Sequence, residues 1–303
     1  MIEQSTTHIQ ENKKEPLAGL VSVYMPTKNR LALLKRAVNS VLSQTYPNIE
    51  LHVVDDGSSD GTFDYLSELS RQNSRVFVYR NEESMGACAA RNVAISNANG
   101  EFVTGLDDDD LFLPNRISSL VAAYDDKYAF CCSSMWWDYG KKQRLIDASE
   151  IEITLAAQLS YNEATTQVLV KRERVLAVGG FDESFVACQD YDLWTRLILH
   201  YGTAYRIAVP SYIINDTGSS ERMIGNPKSV LGYQQFFEKH QMHMTKANKL
   251  NQSFMKIRRE RKPLKFLSLI RQLPAGHIQA KLRYFLSSNF MWIRRLRDVY
   301  TKN

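Results

Sequence analysis

The sequence predicts an α/β domain: a mainly parallel sheet with helices on both faces. Apolar runs of strand length alternate with segments of about ten residues at helical spacing, the trace that βαβ units leave in a sequence. The runs are apolar throughout, as in strands covered on both faces. Three of them stop abruptly in a polar cluster, and ligands of open α/β sheets bind beyond the carboxyl ends of the strands.

The first run, 20–25, is closed by Pro26, and Leu34, Ala37, Val38, Val41 and Leu42 then mark a helix over 31–42. Tyr46-Pro47-Asn48 is a turn before the second strand, 49–54, which ends in the turn-formers Asp55-Asp56-Gly57-Ser58-Ser59-Asp60-Gly61. Helix 62–71, strand 76–79, helix 87–97 and strand 102–106 follow, then four aspartates, Asp107 to Asp110, and helix 114–124. The stretch 131–167 is less regular. A strand at 168–170, a short helix at 172–178 ended by Gly179-Gly180, and a helix at 190–199 with Leu193, Trp194, Leu197 and Ile198 inward complete the pattern. Trp194 reads as core. Residues 215–227 are rich in Gly, Ser and Asn, like a loop that could close over a ligand.

With 303 residues, 44% hydrophobic and 23% charged, the chain suits one soluble catalytic domain plus an extension. The expected division is a disordered lead-in at 1–18, the catalytic domain at 19–235 and a basic helical extension at 236–303. No run reaches the roughly 18 apolar residues of a membrane span, and the polar start has no signal-peptide pattern, so the expected location is the cytoplasm. Cys88, Cys131, Cys132 and Cys188 form no C-x-x-C pair and read as reduced thiols. The net charge of +5 is uneven: residues 246–303 carry 15 Lys and Arg against Glu260 and Asp298, leaving −8 on the rest. Basic and apolar residues interleave there, up to Met291, Trp292 and Ile293, as in helices that lie on anionic lipid. The alternative is a helical pair packed on the body. No nucleic-acid-binding module accompanies the charge.

Four adjacent aspartates after a buried strand repel one another. A divalent cation resolves the conflict, and an all-oxygen set favours Mg²⁺ or Mn²⁺. Asp107 and Asp109, two apart on an extended segment, would face the same way. A carboxylate of the 55–58 loop on the same rim could accept from a base N–H or a ribose hydroxyl, with Gly57 permitting close approach.

The ordered set of motifs resembles the family 2 glycosyltransferases of the GT-A fold. It comprises Val21 to Arg30, Ser40 to Asn48, Val53 to Asp60, Gly86 with Ala90-Arg91-Asn92, Gly100-Glu101-Phe102 leading into Leu106 to Asp110, Gly179 to Glu183, and Gln189 to Trp194. The resemblance implies an inverting transferase that uses a nucleoside-diphosphate sugar, preferably UDP-linked, and a glycan or lipid-linked hydroxyl acceptor in bacterial surface-polysaccharide or lipopolysaccharide assembly. It implies Asp56 at the base, Pro26 and Thr27 at the nucleoside with Asn29 and Arg30 beside them, and Arg91 and Asp108 near the donor. Asp107 and Asp109 would hold Mn²⁺ or Mg²⁺, and Asp190 would be the general base. Three positions depart from the pattern. Lys28 replaces a stacking aromatic residue. Gln189 replaces a glutamate, which removes a like charge and favours a lower pKa for Asp190. Asn215 and Asp216 stand where many members have a metal-side histidine, making Asp216 a candidate substitute. Two other classes stay open: a catalytically silent sugar-nucleotide scaffold, and a nucleotidyltransferase, although Pro26 to Arg30 has no phosphate-loop glycine.

Overall fold

The computed structural model describes residues 16–165, 167–216 and 227–290. The loop expected to close over a ligand lies almost wholly outside the described residues, as do most of the lead-in and the end of the basic tail.

The chain runs β1 (Leu17–Thr27), α1 (Leu31–Leu42), β2 (Ile49–Asp55), α2 (Thr62–Gln72), β3 (Val76–Arg80), α3 (Ala87–Asn97), β4 (Gly100–Gly105), β5 (Leu111–Phe112), α4 (Arg116–Ala123). Then come β6 (Cys131–Asp138), β7 (Gln143–Ile146), β8 (Ile151–Ile153), α5 (Leu155–Ser160), β9 (Val170–Lys171), α6 (Arg172–Ala177), α7 (Gln189–Tyr201) and β10 (Ala204–Asn215). Helices α8 (Pro227–His240), α9 (Lys246–Arg259), α10 (Phe266–Gln272) and α11 (Ile278–Asn289) close it. Strand β1 already contains Leu17, and α8 runs through position 235, where a domain boundary was expected.

The expected sheet is present. Its order is β3-β2-β1-β4-β9, parallel except for the antiparallel edge strand β9. Strand β2 is buried along its whole length because α1 and α3 cover opposite faces: Val21, Val23, Leu51 and Val53 pack with Leu34, Val38 and Val41, while Tyr24, Val54 and Val103 pack with Ala90, Ala94 and Ile95. Trp194 is fully buried against Phe130 and Phe181, as expected of a core residue.

The irregular stretch hides a second sheet, β5-β10-β6-β7 with β8 also on β10. A bridge between Cys131 and Leu169 joins it to the first. The third core holds the C-terminal helices to the body, with Phe236, Phe254, Leu264 and Leu269 packing on Leu159, Phe185 and Tyr191.

Candidate active site

Strands β1, β2 and β4 end together, with Thr27 opposite Asp55 and Tyr24 opposite Gly105. The loops beyond them therefore flank the end of β1. The Asp56 N–H donates to the Thr27 carbonyl at 2.9 Å, and the Thr27 hydroxyl donates to Asp108 at 2.7 Å. The three polar clusters share one rim, as the sequence suggested.

The acidic run is not extended. The Asp110 N–H closes a turn on the Asp107 carbonyl at 3.0 Å. Alternation survives nonetheless: the Asp107 and Asp109 side chains are 33% and 31% exposed, whereas Asp108 is 7% exposed and Asp110 is buried. Asp110 accepts from the Tyr212 hydroxyl (2.8 Å) and the Asn215 N–H (2.9 Å), which ties the run to β10. Burial, then the charges of Asp107 and Asp109, push its carboxyl well up. Burial pushes Asp108 up to about 6, and burial with the Asp107 charge raises Asp109. Arg30 bridges Asp108 (3.0 Å) and Asp109 (2.8 Å), and Arg91 pairs with Asp107 at 2.8 Å.

Arg91 is held over the Phe181 ring at 5.3 Å. Its Nε is buried with no hydrogen-bond partner among the described residues. That donor, beside Asp107, suits an anionic group arriving at the rim. Asn92 fixes the loop beneath: its side chain accepts from the Phe181 N–H (2.8 Å) and donates to the Phe181 carbonyl (2.8 Å). An open depression of about 420 Å³ lies beside Phe181, lined also by Asp182, Glu183 and Lys239.

Asp190 sits in the first turn of α7, whose N-cap is Cys188. It is therefore not the cap residue. Arg91 and Asp107 act on it electrostatically, so it lies within the electrostatic reach of the acidic rim. Asn162 donates to its Oδ2 at 3.1 Å. Burial pushes its carboxyl up to about 6, outweighing the Tyr191 N–H, Arg91 and Asn162. The exchange of a glutamate for Gln189 thus does not leave Asp190 with a low pKa, because desolvation dominates.

Asp56 lies at the rim, but its carboxylate accepts from Asn81 (2.8 Å), Ser84 (2.6 Å) and the N–H groups of Met85 (2.8 Å) and Gly86 (2.9 Å). About four lone-pair positions are all a carboxylate has. As it stands, Asp56 shapes the 81–86 loop and offers no free acceptor. Those bonds hold its pKa below the usual range despite burial. Asn29, at φ 52°, accepts from the Ser59 N–H at 2.8 Å and so clamps the 55–60 loop. Pro26 is half-buried and Lys28 exposed at the same strand end. Asp216 accepts from the Trp137 indole at 3.2 Å, one residue beyond the backbone that Asp110 holds.

Sequence reasoning missed Asn162 and the anchoring role of Asp110. Nothing local marks Asn162, since its partner is 28 residues away. Among the described residues, no three His, Cys, Asp or Glu groups converge as a metal cage. A magnesium-type site needs only one or two carboxylates, with water and substrate phosphate completing the shell. The crowded, oxygen-only pair Asp107 and Asp109, each partly open to solvent, fits that requirement.

Comparison with known proteins agrees with this layout. The family model for glycosyl transferase family 2 matches residues 22–180. WcaA of Escherichia coli K12, a glycosyl transferase named for colanic acid biosynthesis, is 32% identical over 78% of this chain and 86% of its own length. The Escherichia coli protein WfaP, named a UDP-Glc:alpha-D-GlcNAc-diphosphoundecaprenol beta-1,3-glucosyltransferase, is 31% identical over 59% of this chain and 70% of its own. Among solved structures, S. aureus TarS 1–349 with UDP-GlcNAc superposes with a TM-score of 0.65 at 19% identity, over 91% of this chain and 83% of that one. The Pyrobaculum calidifontis mannosyltransferase PcManGT, solved with GDP-Man and Mn²⁺, gives 0.60 at 16% identity, over 93% and 88%. Sequence motifs, strand-end geometry and these likenesses lead to one assignment: the chain is a member of glycosyl transferase family 2, with the GT-A fold.

Proposed function

We propose that the protein is an inverting, metal-dependent transferase that moves a sugar from a nucleoside-diphosphate donor, preferably UDP-linked, to a hydroxyl of a lipid-linked glycan. The observation that carries this reading is Asp190: a partly desolvated carboxylate, held by Asn162 and within electrostatic reach of the Arg91–Asp107 pair. With a pKa of about 6 it is ionised at neutral pH yet basic enough to accept a proton, the compromise a general base needs. Asp190 takes the acceptor hydroxyl proton as that oxygen attacks the anomeric carbon. The bond from that carbon to the diphosphate oxygen breaks, the nucleoside diphosphate leaves, and configuration inverts.

Arg91 directs its unpartnered Nε toward the phosphate charge, and Arg30 holds Asp108 and Asp109 in place. Thr27, Pro26 and the Asn29-clamped loop border the nucleoside, with Asp56 acting through the loop it shapes. Asp107 and Asp109, with Asp216 as a further candidate, would hold Mn²⁺ or Mg²⁺, which when bound offsets charge on the leaving diphosphate. The name of WfaP, with its UDP-Glc donor and diphosphoundecaprenol acceptor, supports the substrate classes. That of WcaA supports surface-polysaccharide assembly. Lipopolysaccharide assembly is the related case. No described helix is long and apolar enough to cross a membrane. We place the work at the cytoplasmic face of the membrane, where a peripheral enzyme meets such an acceptor.

The test is hydrolysis of UDP-sugars with and without Mn²⁺. The expected result is turnover that needs the metal and falls at least ~100-fold in Asp190→Asn, while UDP binding persists. A scaffold would bind without turnover, and full activity in Asp190→Asn would sink the assignment.

A further inference from the structure

Helices α10 and α11 form a hairpin with apolar residues on both faces: Leu269, Tyr284 and Phe285 pack on the third core, and a second set points outward. A surface helix ordinarily turns its apolar stripe inward. On α11 a lysine and a serine face in: Lys281 is fully buried, its Nζ donating to Asn251 Oδ1 at 2.8 Å and the Gln272 carbonyl at 2.7 Å, and Ser287 is buried too. Ile278, Leu282 and Leu286, each four residues from the next and so on one stripe, are exposed. On α10, Leu269 fills the core, while Phe266, Leu267 and Ile270 are 62%, 79% and 49% exposed. The rings of Phe266 and Phe285 lie 6.2 Å apart, so the two helices meet at this face. The Lys281 bonds lock the orientation, and core packing does not explain an apolar stripe on the outside.

The charge on this segment has one sign. No Asp or Glu occurs from Arg261 to Phe290, and Lys265, Arg271 and Arg283 are exposed. Large apolar side chains clustered in the open mark a docking surface. A second copy of the chain would set this cationic face against itself, and a nucleic acid would leave the stripe in water. An anionic bilayer answers both features.

We propose that the α10–α11 face docks on an anionic lipid bilayer. The apolar stripe enters the interface, and the Lys and Arg side chains meet headgroup phosphates. This deepens the reading of a lipid-linked acceptor and takes its purpose from it, but the docking does not depend on any sugar. Among the described residues, the expectation that the basic tail meets lipid is thereby narrowed to two helices, with α9 facing the body.

The experiment is sedimentation of the full chain with vesicles of phosphatidylethanolamine and phosphatidylglycerol, against vesicles of phosphatidylcholine alone. Binding to the anionic vesicles is expected, weakened by salt and by Lys265→Glu with Arg271→Glu. The pair Leu267→Glu and Leu282→Glu is expected to weaken it by about tenfold or more, leaving UDP-sugar hydrolysis in solution unchanged. Lack of binding by the unaltered chain overturns the proposal, as does equal binding by the apolar variants. A dimer in light scattering that the same two substitutions convert to monomer also overturns it. Hydrolysis loss in Asp190→Asn is read separately, so failure of docking and failure of the catalytic reading are distinct results.

Discussion

Replacing Asn162 with alanine probes how the chain sets the basicity of Asp190. Asn162 gives one N–H to Asp190 Oδ2 (3.1 Å) and one to the Thr165 carbonyl (2.7 Å), while its oxygen accepts from buried Gln158 (3.0 Å). The bond favours the ionised carboxylate. A hydrogen bond to a charged group contributes about 1.5–3 kcal/mol. Water entering the space recovers part, leaving about 1.4 kcal/mol, or one pH unit. The carboxyl then moves from about 6 toward about 7. A general base must be ionised, so raising its pKa carries the acid limb of kcat/KM to higher pH. The expected loss is about tenfold near pH 5, about twofold near pH 7 and almost nothing near pH 8. The measurement is the pH profile of kcat/KM, with Tm followed at each pH. An acid limb that stays in place while activity falls equally at every pH would refute the reasoning and leave Asn162 a purely structural role.

Two further expectations concern the scaffold. Glu50 accepts from Ser22 (2.6 Å), the Asn99 N–H (2.7 Å) and the Asn99 side chain (3.0 Å), and pairs with His52 (2.8 Å). These bonds outweigh burial and hold its pKa at about 2. A depressed carboxyl contributes stability above its unfolded pKa, near 4.5, and loses it as pH falls toward 2. Glu50→Gln should therefore destabilise by roughly 2–3 kcal/mol at neutral pH and much less near pH 3, by urea unfolding. Gly180 has φ +67°, and a Cβ there would lie 2.7 Å from Asn92 Oδ1. Gly180→Ala should cost roughly 2–4 kcal/mol, and unchanged urea midpoints would contradict the tight Asn92 clamp.

The first sheet was legible because each of its strands carries its own signal: a short apolar run, a stop, then helical spacing. Strands β2 and β3 and helices α1 and α3 fall where that pattern put them. The second sheet gave no such signal. Strand β6 reads Cys-Cys-Ser-Ser-Met-Trp-Trp-Asp, and Ser133 and Ser134 are buried although polar. Their surroundings explain it: fully buried Arg116 donates to the hydroxyls of Ser133 (3.0 Å) and Ser211 (3.3 Å), so polar residues line the inside. The β10 pairing with β6 also slips between Ile207 and Tyr212, which breaks any period. At the site, residue types announced the acidic rim, but the turn at 107–110 and the Asn162–Asp190 bond depend on parts of the chain far apart in sequence.

The basic tail shows where composition stops being informative. Its charge and apolar content treat residues 246–303 as one kind of segment, yet α9 and α11 are used in opposite ways. On α9 amides share the inward face with Phe254 and Met255: Asn248 donates to the Ala156 carbonyl (2.7 Å) and Ser160 (2.8 Å), and Gln252 to the Leu159 carbonyl (2.8 Å) and the Tyr191 hydroxyl (2.8 Å). A hydropathy pattern would turn those side chains to water. Gln252 faces inward because the Leu159 carbonyl, in the last turn of α5, has no following turn to donate to it, and a buried acceptor left without a donor costs about 1–3 kcal/mol. Helix α5 ends two residues before Asn162, and Tyr191 follows Asp190 directly in α7. Both groups that α9 grips therefore adjoin the proposed base, one through the Asn162 hydrogen bond and one through the backbone. A segment that looks separable in sequence is thus part of the frame that orients Asp190, and the helices that do look outward are the two beyond it.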